Sequence, residues 1–390
     1  MRPEIDAKNL FFDSFGGEHP HIVISHGRLE LLGNHTDHNH GLCLVASASI
    51  GITGAFEERQ DGYVKVKSEG YPSIEFPISD LSLHPEEKGT TKALIRGVLY
   101  ALQQAGCKIG SGGFSAALVN DIAAGSGVSS SACFESLIGG IASFLWNDNK
   151  IDSLVLAKAG QFSENVYFGK PCGLLDQIGT SFGGINYLDF KSPENPAIEP
   201  LEWKLPLDIV LVNPGSSHAK LTGLYASIPS DMKEVAKTLF GKEFLRDVDP
   251  KQFFQIVSKP TPGIDERKKF RAQHFFDENV RVLQARKAIL ENDPGLFLDA
   301  VVKSQISSAM FLQNTMVPGA YEGSMQQCVD QASHYLEGGA IRIMGGGFGG
   351  SCIAFIPKNA SDRFIAAMKQ KYGAKAVSKM AILPDGPKAY

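Results

Sequence analysis

The sequence predicts an α+β protein of two packed domains, and three observations carry that prediction. A chain of 390 residues is too long for one ordinary core. Strand patterns and helix patterns occur in both of its halves. Pro193, Pro196, Pro200 and Pro206 crowd a short stretch near the middle. Such density interrupts regular structure and marks a boundary, although a proline-edged hairpin reads the same way. The expected domains are 1–203 and 204–390, with the site in the cleft between them.

The elements follow in order. Ile22 to Ser25 is a β-branched run ending at Gly27, a short strand that delivers Arg28 to a loop. Leu42 to Ala46 returns as strand. Tyr63 to Lys67 alternates apolar and polar residues and follows Asp61-Gly62, a hairpin signal. Leu94, Val98 and Leu102 recur at helical spacing and predict a helix from Thr91 to Ala105. Phe114 to Val119 is a strand running into a glycine- and serine-rich loop, then a long helix ending near Trp146. Asp208 to Val212 opens the second half as a buried-type strand. Helices are expected over Arg271–Leu290 and Gly323–Leu336, and strands on both sides of a second glycine cluster.

Charge and composition narrow the function. With 38 Lys and Arg against 42 Asp and Glu, the net charge of −4 offers no field for a polyanion, so nucleic-acid binding is not expected. Apolar runs such as Gly139 to Trp146 fall far short of a membrane span. Met1-Arg2-Pro3-Glu4 begins a polar segment without the apolar stretch of a signal peptide. Cys43, Cys107, Cys133, Cys172, Cys328 and Cys352 are scattered without CxxC pairs, as buried thiols of a reducing compartment are. A cytoplasmic monomer acting on small molecules is the expectation.

Three segments concentrate chemistry. Gly27 to His38 gathers Arg28, Asn34, His35 and Asp37 around an apolar stretch and Gly33. In Ala123 to Ala132, Gly125 and Gly127 let the backbone approach a ligand, and Ser129, Ser130 and Ser131 supply hydroxyls before a helix begins. Backbone N–H groups at a helix N-terminus suit a phosphate chain, while a solvated turn capping the helix is the plainer alternative. No Walker-type G-x-x-x-x-G-K-[ST] occurs. Gly345 to Gly350 contains G-x-G-x-x-G, but the strand pattern Ser351 to Ile356 follows where a dinucleotide fingerprint needs a helix. An oxidoreductase of that type is set aside, and a loop closing over phosphates is expected. His35, His38 and His40 beside Asp37 suggest a metal, yet no distal ligands complete the set.

These segments resemble the signatures of the galactokinases. Gly27 to His38 is similar to G-R-x-N-L-I-G-E-H-T-D-Y, Gly127 to Ala132 to G-L-S-S-S-A, and Gly345 to Ser351 to G-G-G-F-G-G-C with serine for cysteine. Glu164 followed by Pro171 to Gln177 resembles the family's glutamate and P-C-G-I-M-D-Q. His218 with Tyr225, and Arg271-Ala272-Gln273-His274 with Glu278 and Arg281, extend the likeness over nearly the whole chain. The resemblance implies a two-domain sugar-kinase fold, with a ribosomal-protein-S5-like nucleotide-binding domain and a ferredoxin-like C-terminal α+β domain. It implies transfer from ATP, with Mg²⁺, to the anomeric hydroxyl of D-galactose. By the same resemblance Asp176 is the base and Arg28 the neighbour that keeps it ionised. Arg28, Asn34, His35, Asp37, Gly173, Asp176 and Tyr225 surround the sugar. Gly125, Ser126, Gly127, Val128, Ser129, Ser130, Ser131, Ala132, Gly346 and Gly347 surround ATP, and Ser130, Ser131 and Glu164 hold the metal. Asn34 stands where the family has a glutamate that grips the sugar's primary hydroxyl, and Glu30 and His38 replace an asparagine and a tyrosine. Galacturonate, N-acetylgalactosamine or a pentose therefore stay open as substrates. A catalytically silent sugar sensor is a further alternative, against which the intact serine loop, Glu164 and Asp176 speak.

Overall fold

The computed structural model describes residues 3–123, 125–215 and 221–390. Seven strands come first in the chain: β1 (His21–Leu32), β2 (Leu42–Glu58), β3 (Tyr63–Ser68), β4 (Ile74–Pro77), β5 (Gly113–Asn120), β6 (Ile185–Asp189) and β7 (Ala197–Leu201). Then follow β8 (Leu207–Val212), β9 (Ala340–Ile343), β10 (Cys352–Pro357), β11 (Val377–Met380) and β12 (Lys388–Ala389). The larger sheet has eight strands in the order β12-β1-β2-β5-β3-β4, with β6 on β2 and β7 on β6. β2 is long because it serves two neighbours on the edge away from β1: Leu42–Ala46 pairs with β6 and Ile52–Glu58 with β5.

The strand that carries the first signature differs from expectation. Arg28 does not leave β1 for a loop; the strand runs on to Leu32, and its pairing with β2 slips between His26 and Arg28 and again between Glu30 and Leu32. Such bulges re-aim side chains without ending the strand. Leu29 and Leu31 point into the core, while Arg28 and Glu30 face the other way and form ion pairs. Local patterning missed this because the polar groups occupy one face of a buried strand.

Two other local readings are corrected. Asp61-Gly62 does not close a hairpin, because β5 lies between β2 and β3 and pairs parallel with β3. The prolines before Trp203 belong to a hairpin: β6 pairs antiparallel with β7, and Pro200 sits on β7, which among the described residues pairs with β6 alone. An outer strand tolerates the missing N–H. The boundary expected at 203/204 falls between β7 and β8, and β12 later passes back to β1.

The smaller sheet, ordered β11-β8-β10-β9, is antiparallel throughout, with helices Met325–Ala332 and Ser361–Tyr372 on one face, a ferredoxin-like arrangement. Alternation on β8 shows why both faces are covered. Val210 and Val212 join Cys328 and Phe364, while Leu207, Ile209 and Leu211 join Phe297, Phe355 and the core of the larger sheet. The two halves therefore share one apolar core. The helical stretch Pro294–Leu312 has the length and apolarity of a membrane span. Phe297, Ala300, Val301 and Ser304 are buried, and Asp299 pairs with Lys303 at the surface, as in a core helix.

Candidate active site

The centre of the site is a carboxylate with a partner on each oxygen. Asp176 lies in the first turn of helix Leu175–Phe182. Arg28 Nε donates to its Oδ1 at 2.7 Å, and Ser129 Oγ donates to Oδ2 at 2.5 Å. Arg28 Nη1 also donates to the carbonyl of Gly127, and the Arg28 N–H donates to that of Val128 at 2.9 Å. Strand β1 is thus fastened to the glycine-serine loop. Burial pushes the Asp176 carboxyl up, but the Arg28 charge and the bonds from Ser129 and Arg28 outweigh it and hold it below its ordinary value. Its side chain is still 32% exposed. An ionised acceptor therefore stays partly open to solvent.

Ser129 takes a left-handed backbone (φ 58°) just before helix Ser130–Trp146. The first intrahelical bond runs from the Cys133 N–H to the Ser129 carbonyl, so the N–H groups of Ser130, Ser131 and Ala132 precede the ladder. Val128 and Ala132 are buried and anchor the loop, and Ser126 is buried with them. Gly125 and Gly127 have φ of 74° and 71°, and Gly127 faces Gly350 and Ser351 of the third signature. His35 and Phe348 are also left-handed. Each signature thus holds a non-glycine residue in a costly conformation, as functional loops often do.

Glu164 sits in a π-helical turn, Ser163–Phe168, and is only 1% exposed. Its Oε1 accepts from Ser131 Oγ (3.1 Å) and Lys170 Nζ (2.6 Å), and its Oε2 from Gln177 Nε2 (2.9 Å). Ser131, rather than the exposed Ser130, touches this carboxylate. Gln177 Nε2 also reaches Glu135 Oε2 at 3.1 Å. Burial, reinforced by the Glu164 charge, pushes the Glu135 carboxyl well up. Lys170, Gln177 and Glu135 escaped sequence reasoning. Glu135 stands one helical turn after Ser131, a spacing that could have signalled it.

The opposite wall combines both halves. Asp37 packs against the Gly173 backbone, where any Cβ would displace the Asp37 carboxylate. His35 Nε2–H donates to the Gly346 carbonyl at 2.8 Å. Burial and the neighbouring His38 lower the His35 pKa to about 3, which keeps the ring neutral. Gly346 lies against Tyr225, whose ring meets Phe348 edge-on at 5.8 Å, and Gly347 lies against Asn314. The two glycines thus border the wall that holds His35 and Tyr225. His38 is 6.0 Å from His35 between ring centres, and His40 stacks on Phe244 at 3.8 Å, so the three imidazoles do not converge. His218 lies outside the described residues.

Asn34 is placed differently from the other expected sugar contacts. It is fully buried, its Nδ2 donates to Glu30 Oε1 (2.9 Å) and to the Gly345 carbonyl, and its Oδ1 accepts from Asn314 Nδ2 (2.8 Å). Glu30 Oε1 also pairs with the fully buried Arg342 at 3.1 Å. The carboxylate at position 30 draws the amide inward, so the structure does not turn Asn34 to the cleft. Helix Glu266–Glu291 braces the same turn. His274 Nε2–H donates to the Asn34 carbonyl (3.0 Å), and Glu278 Oε1 accepts from the Gly33 N–H (3.1 Å). Glu278 is paired with Arg281 at 2.6 Å.

Comparison with known proteins agrees with this geometry. Residues 93–184 match the N-terminal domain of the GHMP kinases and residues 285–374 their C-terminal domain. A mevalonate kinase structure from L. major, 16% identical, shares the fold with a TM-score of 0.63 over 95% of this chain and 97% of its own. The chain carries both domains of the GHMP kinases. Residues 9–58 match the galactokinase galactose-binding signature. A galactokinase of Streptococcus thermophilus is 30% identical over 94% of this chain and 92% of its own. The structure of Lactococcus lactis galactokinase complexed with galactose is 27% identical and covers 98% of both chains with a TM-score of 0.85. The chain belongs to the galactokinase family.

Proposed function

We propose that this chain transfers the γ-phosphoryl group of ATP to the anomeric hydroxyl of galactose. The observation that supports it most is the Asp176 carboxylate, oriented by Arg28 and Ser129 and open to a cleft that also holds Asp37, His35 and Tyr225. Asp176 accepts the hydroxyl proton as the sugar oxygen bonds to phosphorus and the bond to the leaving ADP breaks. Its lowered pKa makes it a weak base. That suits a loose transition state, in which positioning and charge neutralisation matter more than early proton removal. Arg28 keeps Asp176 ionised and places a positive charge beside the transferring group. Asp37, His35 and Tyr225 hold the ring hydroxyls.

The oxygen set fits Mg²⁺, because a cation, the Lys170 ammonium, already rests on Glu164 Oε1 beside the Ser131 hydroxyl. Ser131 and Glu164 would hold the metal, which would supply charge neutralisation for the phosphates. The three N–H groups at the start of helix Ser130–Trp146 would receive phosphate oxygens. The six cysteines are free thiols, which supports a cytoplasmic setting, and the domain division at 203/204 is kept as part of the proposal. Release of ADP, measured with galactose, galacturonate, N-acetylgalactosamine and L-arabinose, tests the reading. Galactose should give the highest kcat/KM. Turnover of another sugar with none of galactose would overturn it.

A further inference from the structure

Lys170 has no part in the mechanism so far, and its position is unusual for a surface residue. Its side chain is 55% exposed, yet its Nζ lies 2.6 Å from the buried Glu164 Oε1, the oxygen that also accepts from Ser131. Among the described residues, Lys170 is the cation paired with Glu164. Glu164 Oε2 in turn accepts from Gln177, the residue that follows Asp176. One cation therefore stands on the carboxylate suited to a metal, beside the segment that carries the base. Phosphorus must pass through that region on its way to an oxygen held by Asp176. The backbone is fixed here, with the Lys170 N–H on the Glu164 carbonyl (2.9 Å) and the Cys172 N–H on Asn165 Oδ1 (2.7 Å), so any movement belongs to the half-exposed Lys170 side chain.

We propose that Lys170 is a movable catalytic cation, which neutralises Glu164 in the absence of a divalent ion and turns to the transferring phosphoryl oxygens when one binds. This rests on the phosphoryl-transfer reading above. A divalent ion on Glu164 Oε1 and an ammonium on the same oxygen would repel at contact distance, so one displaces the other. A four-carbon stem with a compact charge can make that move, whereas a planar guanidinium would be held less freely. No bond is made or broken by Lys170; it supplies charge where negative charge is transferred.

The test uses the full chain and the variants Lys170→Met and Lys170→Arg. Mn²⁺ binding in the presence of a non-hydrolysable ATP analogue, read from the electron paramagnetic resonance of free Mn²⁺, should tighten about 3–10-fold in Lys170→Met, because a competing cation is gone. With galactose and MgATP, kcat should fall about 10–100-fold while the galactose KM stays within about threefold. Lys170→Arg should recover part of kcat. A Lys170→Met kcat within threefold of the unsubstituted protein, or unchanged or weakened Mn²⁺ binding, would overturn the proposal. Should Lys170→Met fail to fold, Lys170→Gln is read by the same two measures. Absence of ADP release from the unsubstituted protein with every sugar would instead sink the kinase reading, and the Mn²⁺ measurement is independent of it.

Discussion

The two sides of the cleft are built on different principles. The catalytic side, with Arg28, Ser129, Glu164 and Asp176, comes entirely from the half that carries the larger sheet and is tied together by charged hydrogen bonds. The sugar side needs both halves: His35 bonds Gly346, Asn34 bonds Gly345 and Asn314, and His274 and Glu278 hold the turn from behind. Most of its links are uncharged contacts between side chains and backbone. Chemistry is thus pre-organised within one body, while recognition depends on how two bodies are seated. Substitutions on the catalytic side should lower kcat with the fold intact, and those on the sugar side should alter stability and KM.

The largest effect is expected at Asp176. Asp176→Asn keeps the shape and both neighbours but removes the proton acceptor, so kcat should fall on the order of 10²–10⁴-fold. Nucleotide binding should change little, while the loss of the anion beside the buried Arg28 lowers thermal stability. Activity within threefold of the unsubstituted enzyme would remove Asp176 from its catalytic role and erase the contrast between the two sides.

On the sugar side, Asn34→Glu sharpens the comparison. A second carboxylate would lie beside Glu30 with Arg342 as the shared cation, and the Gly345 carbonyl would lose its donor. Urea unfolding should show a loss of roughly 2–4 kcal/mol, since a buried charge without its own partner is costly. The double change Glu30→Asn with Asn34→Glu restores the family's order of residues in the signature and should return a good part of that stability. Equal stability of the single variant and the unsubstituted protein would show that this network does not hold the turn.

Glu164→Gln should have a smaller effect, confined to the cation. One anionic oxygen pair becomes a neutral amide, so the Mg²⁺ concentration for half-maximal activity should rise on the order of tenfold, with galactose KM unchanged. A Mg²⁺ dependence that does not move would assign the metal to another carboxylate.

Much of the catalytic side was legible in the sequence because each of its parts is a local pattern. The serine loop precedes a helix, and Asp176 and Glu164 lie in recognisable segments. The sugar side was less legible. Nothing in Gly27 to Asn34 says that Glu30 meets Arg342, because that pairing arises only when β1 and β9 approach across the shared core. Asn34 was expected at the ligand for the same reason: its neighbours in space, Gly345 and Asn314, are remote in sequence. The Asp61-Gly62 turn failed through long-range pairing too, since β5 inserts where a hairpin partner was expected. A bulged strand lacks clean alternation, so local patterning alone puts Arg28 in a loop.

The last prediction separates the two sides by acid. His274 is buried on the sugar side between the Asn34 carbonyl and Ser307, and burial lowers its pKa to about 4 from 6.5. Its Nε2 must donate to a carbonyl, so Nδ1 accepts from the Ser307 hydroxyl and the neutral ring satisfies both partners. A folded pKa below the unfolded one means that the unfolded chain binds the extra proton first. The stability from this ring is therefore complete above about pH 6.5 and is lost as the pH falls toward 4. Within that window the slope should be about 1.4 kcal/mol per pH unit for His274. His35, lowered to about 3, adds a similar term, and His26 and His40, also lowered by burial, add to the total. Asp176, held below its ordinary value, stays ionised over the same range. Mild acid should therefore loosen the sugar side while the base remains competent. Urea midpoints at pH 6.5 and 4.5 measure this, with His274→Gln as the comparison, since glutamine can still donate to Asn34 but does not titrate. The variant should lose about 2–3 kcal/mol less than the unsubstituted protein between the two pH values. Equal losses would mean that His274 is not held neutral in the folded state, and that acid does not distinguish the two walls through this ring.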